Sequence, residues 1–466
     1  MRPITCYLFG LVFLGMLTGC ARYRYHPAPI SLPVSAHNLE ARSLDDLGLR
    51  DWMEQNEGEK ETHWPRETWD LNALTLAAFY YSPTLDAARI NIAAADAAVK
   101  TAAMKPNPTA GVGSGYSTSP ESAWLLAFNF SLPIETAGKR GYRIAAATHF
   151  SEAARIQLAE TAWTVRSEVR AALVNYLLSL GSVDLFRKEE AVRLQNVELL
   201  DRRFRAGEIP WPDVNMARID LVNFELLLRA AEGQIDTNRA ILAAAIGVPV
   251  TGLAGKRFEL AGLEQPPPVD ALSIESIRKA AVLNRLDVRR SLANYETAQS
   301  NLQLEVAKQY PDINLGPGYN YEESYNFLAL GPSAVLPLRN HNEGPIAQAE
   351  ANRKAAGVQL RTVQSTVIAQ SERAVGAYRA ARATLDEADR SLQLESGQIA
   401  IAKQGAIAGE TDQLIPVGAE LVGAVAASAR LRILQQVQTS LGALEDAVER
   451  PLGPESMPEL PQRAPR

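Results

Sequence analysis

The sequence predicts a mainly α-helical protein with a small β part, built as two tandem repeats of long helices and β-hairpins. Two stretches, 139–206 and 346–404, contain no proline, as very long helices require. Ahead of each stretch, at about 109–132 and 312–337, apolar residues alternate with small or polar ones, which is the period of a β-strand. Because this order of elements occurs twice, we expect an internal repeat.

The repeat is seen when the sequence is shifted against itself by 203 or 204 positions. A proline-rich stretch at 266–268 marks the joint, which gives a first repeat at 69–265 and a second at 270–450. Residues that punctuate strands and turns then coincide in the same order in both copies, and chance does not account for such an ordered set. The coincident residues are Pro108 with Pro311, Gly113 with Gly316, Gly115 with Gly318, Tyr116 with Tyr319, and Leu132–Ile134 with Leu336–Leu338.

The predicted strands have the length of a tilted strand that crosses a bilayer, which takes roughly ten residues. One face of the second strand of the first repeat is apolar and rich in aromatic residues. This pattern fits a half-buried strand of a soluble protein as well as a strand of a transmembrane barrel. The residues on that face are Trp124, Leu126, Phe128, Phe130 and Leu132.

Four strands cannot close a membrane barrel, because the smallest such barrels have about eight. An open sheet edge in lipid leaves backbone groups unpaired, which costs several kcal/mol for each group. If the strands cross a membrane, several chains must therefore share one barrel. Two chains would supply eight strands and three would supply twelve, and this arithmetic does not choose between them.

The two proline-free stretches would form helices roughly 100 Å and 90 Å long at 1.5 Å per residue. Leu173, Leu177 and Leu180 form a stripe with spacings of three and four, which is typical of coiled-coil packing. The same spacing also fits a solvated helical bundle, which stays as the alternative.

The N-terminus has the pattern of a cleaved secretory signal. Arg2 is followed by a short apolar run and then by Leu17-Thr18-Gly19-Cys20, an ending that resembles the bacterial lipoprotein signal. We therefore expect residues 1–19 to be a signal peptide and Cys20 to be the lipid attachment site. Ala21 follows, and the aspartate that would favour inner-membrane retention is not there. The alternative is an ordinary signal with an incidental cysteine.

The segments outside the two repeats are expected to be a leader and a tail. Residues 20–68 would form a lipidated N-terminal leader that contains one short helix at 43–56, with Ser43 as its N-cap. Residues 451–466 contain five prolines and are expected to be a disordered tail.

The composition excludes several classes of function. Lys plus Arg is 47 and Asp plus Glu is 53, and a net charge of −6 is not the basic footprint of a nucleic-acid-binding protein. Two cysteines cannot form a disulfide-rich scaffold. The glycines at 111, 113 and 115 precede an alternating strand and so fail as a nucleotide loop. The histidines lack metal-ligand spacing, so we expect no metal site, no cofactor and no catalysis; they are His26, His37, His63, His149 and His341.

Taken together, these features resemble the TolC family of outer-membrane efflux ducts, the outer-membrane factors of RND-type tripartite systems. The resemblance covers about 69–448, and the order of its motifs is more specific than any one of them. The Leu336–Gly344 segment is similar to the stretch that leads back into the helix in the cation-efflux branch of the family. The other segments that carry the resemblance are Lys105–Pro108 and Phe204–Glu208, the latter followed by Asp213.

The resemblance implies a homotrimer whose three chains share a 12-strand transmembrane β-barrel and form a trimeric α-barrel in the periplasm. It implies contact with a periplasmic adaptor protein, which joins the duct to an inner-membrane pump. It places Gly207 and Gly405 at the two helix-hairpin tips, where each would supply left-handed or unencumbered backbone.

The resemblance also assigns roles to residues near the tips. Gly207, Glu208, Asp213 and Gly405 would contact the adaptor, and a pore constriction would lie at the second tip, formed by Glu410 and Asp412. The second tip departs from the family pattern, since its aspartate lies seven positions past Gly405 instead of six.

The function implied is a passive, lipid-anchored duct in the outer membrane that conducts small solutes, metal cations or drugs, to the outside. The alternative is a non-channel periplasmic coiled-coil lipoprotein that acts as an envelope scaffold, for which duplicated strands of membrane length have no explanation. A third hypothesis, an envelope enzyme on a helical scaffold, requires a cluster of polar residues that the sequence does not indicate.

Overall fold

A computed structural model describes residues 24–57, 63–116, 118, 124–269, 274–322, 325–454 and 457–458. The predicted signal peptide and Cys20 lie outside the described residues. The chain divides into two compact units, 1–42 and 43–466. In the first unit, helix α1 (Leu32–Glu40) has Pro33 in its first turn and buries none of its residues.

The second unit begins with a leader segment and then enters the first repeat. Its first helices are α2 (Leu47–Glu57), α3 (Leu71–Tyr81) and α4 (Pro83–Ala102), with the short strand β1 (Thr68–Trp69) before α3. The Asp70 carboxylate caps α3 by accepting from Ala73 N, and the Ser82 hydroxyl caps α4 in the same way. A hairpin, two long helices and a short strand complete the repeat: β2 (Thr109–Tyr116), β3 (Trp124–Ile134), α5 (Lys139–Arg205), α6 (Trp211–Ile246) and β4 (Arg257–Phe258).

The second repeat has the same order of elements. It contains α7 (Ile274–Asn284), α8 (Leu286–Ala307), β5 (Ile313–Glu322), β6 (Tyr325–Ala334), α9 (Glu343–Ile407) and α10 (Leu414–Val448). The long helices α5 and α9 both begin after a left-handed residue, Gly138 at φ 73° and Asn342 at φ 63°. These two residues are separated by the offset of 204 that aligns the repeats in the sequence. The mainly helical fold with a small β part is confirmed.

The two hairpins join into one antiparallel sheet with the strand order β2-β3-β5-β6. The central contact, β3 with β5, pairs Phe128 with Tyr319 and Asn129 with Gly318, so each repeat supplies half of the sheet. A parallel pair of two-residue strands, β1 with β4, closes the connection after α6 against the start of the first repeat.

The leader differs from its prediction at the start of its helix. We predicted a helix over 43–56 capped by Ser43, and α2 begins instead at Leu47. The Ser43 hydroxyl accepts from Asp45 N at 3.2 Å, which holds a turn, and Asp46 accepts from Gly48 N at 2.8 Å at the start of the helix. Ser43 is therefore a turn residue, and its short-range hydrogen bond replaces the predicted cap.

Two apolar clusters form the core around the middle of the long helices. The first gathers the leader, α3, α5 and the end of α6 around Trp69 and Phe79, both fully buried. The second packs α7, α9 and α10 around Val367 and Tyr378. Since both clusters reach α5, this helix is shared by the two repeats.

A buried ion cluster joins α5 to α10 between these two apolar clusters. The Glu445 side chain is only 3% exposed, and its Oε2 lies 3.4 Å from Arg166 Nη1 and 3.2 Å from Arg170 Nε. Arg170 also donates to Gln438 Oε1 at 2.9 Å. The other carboxylate oxygen of Glu445 accepts from Leu452 N at 2.8 Å, so the start of the predicted disordered tail is held by a hydrogen bond.

The first long hairpin turns through a left-handed glycine. Helix α5 ends at Arg205, and Gly207 adopts φ 77°. Gly207 N donates to Phe204 O and Glu208 N donates to Arg203 O, both at 2.9 Å. This pair of bonds is the Schellman motif, which satisfies the last carbonyls of a helix and needs a residue without a Cβ at the left-handed position.

The second hairpin uses the same motif but not the predicted glycine. Gly409 adopts φ 74°, Glu410 N donates to Gly405 O at 2.9 Å, and Gly409 N donates to Ala406 O at 3.2 Å. Gly405 lies inside α9 and is not left-handed, so of its two predicted roles, left-handed or unencumbered backbone, the first is wrong. It supplies close approach instead, since a Cβ there would lie 3.0 Å from Thr411 Oγ1.

A repeated tripeptide would have located the second turn. Ala-Gly-Glu occurs at 206–208 and again at 408–410, and in both copies the glycine is the left-handed residue. The family resemblance placed Gly405 at this tip, but α9 continues two residues beyond it.

We expect Glu445→Ala to destabilise the protein, because it leaves two buried guanidinium groups without their carboxylate. Removing one partner of a buried ion pair costs about 3–5 kcal/mol of unfolding free energy. Thermal unfolding followed by circular dichroism should show a clearly lowered midpoint. Glu387→Ala is the control, since Glu387 is 68% exposed beside Arg390 and its loss should matter little. Equal midpoints for the two variants would contradict the role assigned to Glu445.

We expect Gly409→Ala to strain the second tip by about 1–2 kcal/mol, because an L-residue with a Cβ disfavours the left-handed region. Gly397→Ala is the matched control, since Gly397 lies inside α9 with open space around its missing Cβ and should tolerate alanine. Limited proteolysis should cut the tip of Gly409→Ala faster than that of the wild type or the control. Indistinguishable cleavage of all three proteins would show that the turn does not depend on this conformation.

Candidate functional site

The tips of the two long hairpins lie together and are joined by an ion pair. Arg203 lies two residues before the end of α5 at Arg205 and pairs directly with Asp412 in the second tip. The Arg203 Nε atom also lies 3.8 Å from Glu208 Oε2. Asp412 accepts from Leu414 N at 2.9 Å and thereby starts α10. We call the Arg203–Asp412 contact the tip ion pair. It connects the two repeats at the ends of their long helices that lie away from the sheet.

The predicted acidic residues occupy different environments at the tips. Glu208 follows the first turn, and Asp213 lies exposed in the first turn of α6, where a carboxylate is favoured by the helix dipole. Glu410 is exposed beside the second turn. Asp412 is 39% exposed and its charge is balanced by Arg203. Within the described residues these acids form no group of three potential metal ligands.

Arg203 was missed by the sequence reasoning, although a signal for it exists. The last turn of α5 carries three arginines, Arg202, Arg203 and Arg205. A single basic residue there would already interact favourably with the helix dipole. Such a cluster at a predicted tip indicates a partner of opposite charge. The identity of that partner, Asp412, follows only from the folded chain, because the two residues lie in different repeats.

The four-stranded sheet has one apolar face. Its register places Phe128 beside Val112 on one neighbouring strand and Tyr319 on the other. Near the end of the sheet away from the helices the Tyr116 and Trp124 rings lie 5.5 Å apart, edge to face. Every side chain on this face is uncharged, and most are exposed; the larger ones are Trp124, Leu126, Phe128, Phe130, Leu132, Ile134, Leu328 and Leu330.

The opposite face of the sheet carries mostly small and amide side chains, and its larger members are Leu125, Tyr325 and Phe327. Asn129 faces Gly111 on β2 and Gly318 on β5, and its Oδ1 lies 3.3 Å from where a Gly318 Cβ would be. Glycine at these positions leaves room for the Asn129 amide, and no side chain projects from the sheet there. The other members of this face that carry the pattern are Gly113, Gly115, Ala127, Ser131, Asn314, Gly316, Asn320, Gly331 and Ser333.

The long helices also leave apolar side chains exposed. On α6 the side chains of Met216, Ile219 and Leu226 are 53% to 70% exposed, at spacings of three and seven. On α9, Leu394 and Ile401 are exposed and seven residues apart. Spacings of this kind occur along the seam of a coiled coil, and we call the exposed residues of α6 and α9 the seams of these helices.

Among the described residues, two helices have apolar stretches long enough to cross a membrane by length and composition. They are α5 and α10, and 39% and 17% of the respective stretches is buried within the chain. Most of the α10 stretch is half-buried, and its exposed apolar side chains include Ile415, Val422 and Val425.

Comparison with known proteins gives a family and a set of similar structures. Residues 78–248 match the family model described as outer membrane efflux protein. The chain is 27% identical over 278 residues to the cobalt-zinc-cadmium resistance protein CzcC of Cupriavidus metallidurans, and the match covers 59% of this chain and 60% of CzcC.

Solved structures extend the comparison to most of the fold. The outer membrane protein VceC of Vibrio cholerae matches with a TM-score of 0.65 and 21% identity, over 81% of this chain and 95% of VceC. The CmeC outer membrane channel of Campylobacter jejuni matches with a TM-score of 0.64 and 16% identity, over 92% and 93% of the two chains. These matches confirm the resemblance that the sequence motifs indicated: residues 78–248 match the outer membrane efflux protein family model, and the fold is that of outer-membrane efflux channels.

Proposed function

We propose that this protein is the outer-membrane duct of a tripartite efflux system and passively conducts small solutes to the outside. The observation that carries the proposal is the four-stranded sheet, which is apolar on one face and mostly small or polar on the other. A sheet with these two faces suits a wall between lipid and water. An aromatic pair, Tyr116 and Trp124, lies at its outer end, as in the girdles of membrane barrels.

The sheet supports a homotrimer because its two outer strands are open. Among the described strands, β2 pairs only with β3, and β6 pairs only with β5. An open edge in lipid is excluded by the cost of unpaired backbone groups, so β2 of one chain would pair with β6 of the next. Three chains then close a barrel of twelve strands, the number that the family resemblance implies.

The exposed seams of α6 and α9 support the same assembly in the helical part. Between neighbouring chains the seam at Met216 and Leu226 would face that at Leu394 and Ile401, and each would be removed from water. The long helices of three chains would then enclose a tunnel in the periplasm, continuous with the barrel.

The proposed location is the outer membrane, with the helices extending into the periplasm. The family match supports this location, and acylation of Cys20, with palmitate among its chains, would add a second anchor beside the barrel. Each anchor acts on a different part of the chain, because Cys20 lies in the leader and the strands lie in the repeats.

The tips are the proposed site of adaptor contact and of the pore constriction. We assign adaptor contact to Gly207, Glu208, Asp213 and Gly405, the last of which lies in the final turn of α9. The tip ion pair would hold the two hairpins of one chain together and narrow the periplasmic mouth. Contact with an adaptor would separate Arg203 from Asp412 and widen it.

The constriction would also act on cations. Because Arg203 balances the charge of Asp412, Glu410 supplies the exposed carboxylate of a closed mouth. In three chains the Glu410 carboxylates would form a ring around the mouth. Separation of the ion pair would add the Asp412 carboxylates to this ring, so the opened mouth would attract cations more strongly than the closed one. The duct itself would do no chemical work, and the energy for export would come from the pump.

Metal cations are the proposed substrate class, with drugs as the second candidate. The name of CzcC, a cobalt-zinc-cadmium resistance protein, supports cations, as does the similarity of the Leu336–Gly344 segment to the cation-efflux branch. The structures of VceC and CmeC share the fold only and do not distinguish the two classes. Deleting the gene and measuring growth in cobalt, zinc and cadmium against growth in antibiotics separates them.

Reconstitution in a planar bilayer tests the duct against the scaffold alternative. We expect the purified protein to require detergent, to run as a heat-resistant trimer, and to produce stable conductance steps, because strands with one apolar face must be in lipid. A soluble monomer without conductance after removal of the lipid would contradict the duct and favour a coiled-coil scaffold.

We expect Arg203→Ala to raise the conductance of the reconstituted protein, because it removes the tip ion pair. An increase of about twofold or more is expected for loss of a closing contact at a constriction. Asp412→Asn should have a similar effect, and the double variant should add little to either single one.

Arg205→Ala is the control for this experiment. Arg205 lies in the same turn, carries the same charge and is 76% exposed, but it pairs with Asp201 of its own helix. Its loss should leave the conductance unchanged. Equal increases in Arg203→Ala and Arg205→Ala would show that only the net charge of the tip matters.

A further inference from the structure

We propose that the Leu336–Gly344 segment is an assembly element, which continues β6 through Leu338 and pairs it with β2 of a second copy of this chain. In this pairing Leu336 lies opposite Val112 of the next chain, and the Asn340 side chain donates a hydrogen bond to that chain. The inference rests on the proposed function, which supplies the second copy, and it adds the residues in contact and their register. It gives the segment a role in holding subunits together that does not depend on the exported solute.

The internal repeat predicts backbone pairing as well as the order of elements. Ala110 pairs with Phe130 in the first hairpin. Shifting these two positions by 203 and 204 gives Ile313 and Ala334, which pair with each other in the second hairpin. The same shift carries the six pairs of β2 residues 111–116 onto observed pairs of the second hairpin. The offset that aligns the sequences is therefore also a rule for strand register.

The contact between the two hairpins of one chain is a template for the contact between two chains. It joins the second strand of one hairpin, β3, to the first strand of the next hairpin, β5. The strands β6 and β2 of neighbouring chains stand in the same relation. Leu132 pairs with Leu315 across the template contact. Shifted forward by 204 and back by 203, this pair becomes Leu336 opposite Val112.

The strand β6 ends four residues earlier than its counterpart in the first repeat. The strand β3 continues to Ile134, which corresponds to Leu338, whereas β6 ends at Ala334. Ile134 is 42% exposed beside β5, and Leu338 is 79% exposed. In place of a strand ladder Leu338 N donates to Leu336 O at 2.9 Å. This segment has the sequence of a strand but lacks, among the described strands, the neighbour that β3 has, and pairing with the next chain would replace its local bond.

The register matches side chains on both faces of the sheet. On the apolar face Leu336 lies opposite Val112, and both side chains are exposed in the single chain. On the other face Val335 lies opposite Gly113, where the absence of a side chain leaves room for the valine. A slip of one residue would bring Leu336 beside glycine and break the continuity of the apolar face.

The proline in this segment is compatible with pairing. Pro337 has no N–H, and a proline inside a sheet removes one hydrogen bond of the ladder. Its counterpart Pro133 lies within β3 and is paired with Asn314. The first repeat therefore tolerates the same residue at the same place.

A polar contact just past the strand has a counterpart at the subunit boundary. The Thr136 hydroxyl donates to Pro311 O at 2.6 Å, and the corresponding residues are Asn340 and Pro108. Asn340 Oδ1 accepts from Asn342 N at 2.9 Å in its own chain. Its Nδ2 group is then oriented by this bond and would donate to Pro108 O of the next chain. Two of the segments that carry the family resemblance thus meet at the subunit boundary.

Cysteine pairs test the register in the purified protein. The pair Leu336→Cys with Val112→Cys should form a disulfide on oxidation, because directly opposed Cβ atoms lie about 4.5–5.5 Å apart. The pair Val335→Cys with Gly113→Cys tests the other face. Within one chain β2 and β6 are three strand spacings apart, about 14 Å, so each disulfide must join two chains. A denaturing gel without reductant should show covalent trimers, and reductant should return them to monomers.

The matched control is Leu336→Cys with Ser114→Cys, on the same face but two residues out of register. Its Cβ atoms would lie about 7–8 Å apart, too far for efficient bond formation. More covalent oligomer from this control than from the opposed pairs overturns the register. No covalent oligomer from either opposed pair, in a trimer that conducts, overturns the inference alone. A monomer without conductance overturns the proposed duct as well.

Variants of Asn340 test the polar contact. Asn340→Asp keeps the acceptor for Asn342 N but removes the Nδ2 donor, so it should lower the temperature at which the trimer is lost on a denaturing gel. Asn340→Thr introduces the residue of the first repeat, whose hydroxyl can both donate and accept, and should retain the wild-type temperature. Equal temperatures for Asn340→Asp and the wild type would overturn this contact.

Discussion

The requirement that backbone groups in lipid be hydrogen-bonded constrains this protein more than any other interaction. The chain makes a sheet of four strands, apolar on one face, and leaves β2 and β6 with one described neighbour each. Such a sheet is unsuited to lipid as a single copy and unsuited to water because of Phe128, Leu328 and their neighbours. The proposed trimer would pair the open strand edges and place the apolar face in lipid. Burial of the exposed seams of α6 and α9 between neighbouring chains would stabilise the same trimer in the helical part.

The internal repeat lets one chain build matching halves, but the halves are not identical. The left-handed residue that precedes the long helix is Gly138 in the first repeat and Asn342 in the second, and Asn342 additionally donates to Glu305 O at 2.7 Å. The last turns of α5 and α9 share a Schellman motif, yet Arg203 occupies in one copy the place that Gly405 occupies in the other. This difference allows an arginine of the first tip to reach an aspartate of the second. Divergence between the copies thus creates the tip ion pair.

Periodicity and proline content predicted most of the fold because they report local constraints. The absence of proline over 139–206 predicted α5 to within one residue of its observed end at Arg205. Alternation located β3, although the strand continues to Ile134, past the predicted end at 132. Ser43 was assigned wrongly because a serine can cap a helix or hold a turn, and the nearby Asp46 competes for the capping position.

The candidate site was less predictable because it depends on contacts between distant parts of the chain. Glycine spacing located the first tip, since Gly207 stands alone after a long helix, whereas Gly405 and Gly409 compete at the second. The pairing of Arg203 with Asp412 and of Arg166 with Glu445 joins residues more than two hundred positions apart, and no local pattern relates them. The repeated Ala-Gly-Glu tripeptide and the arginines at the end of α5 were the available signals, and they identify the tips without identifying what each residue contacts.

Because Arg203 and Asp412 belong to the same chain, the contact between them can break in one subunit while it persists in the others. In the proposed ring of three subunits such independence would produce graded widening, through partly open forms with lowered symmetry. A closing contact that bridged two subunits would instead couple neighbours and favour concerted transitions. In the proposed trimer, a bond inside one polypeptide would therefore favour stepwise over cooperative widening of the periplasmic mouth.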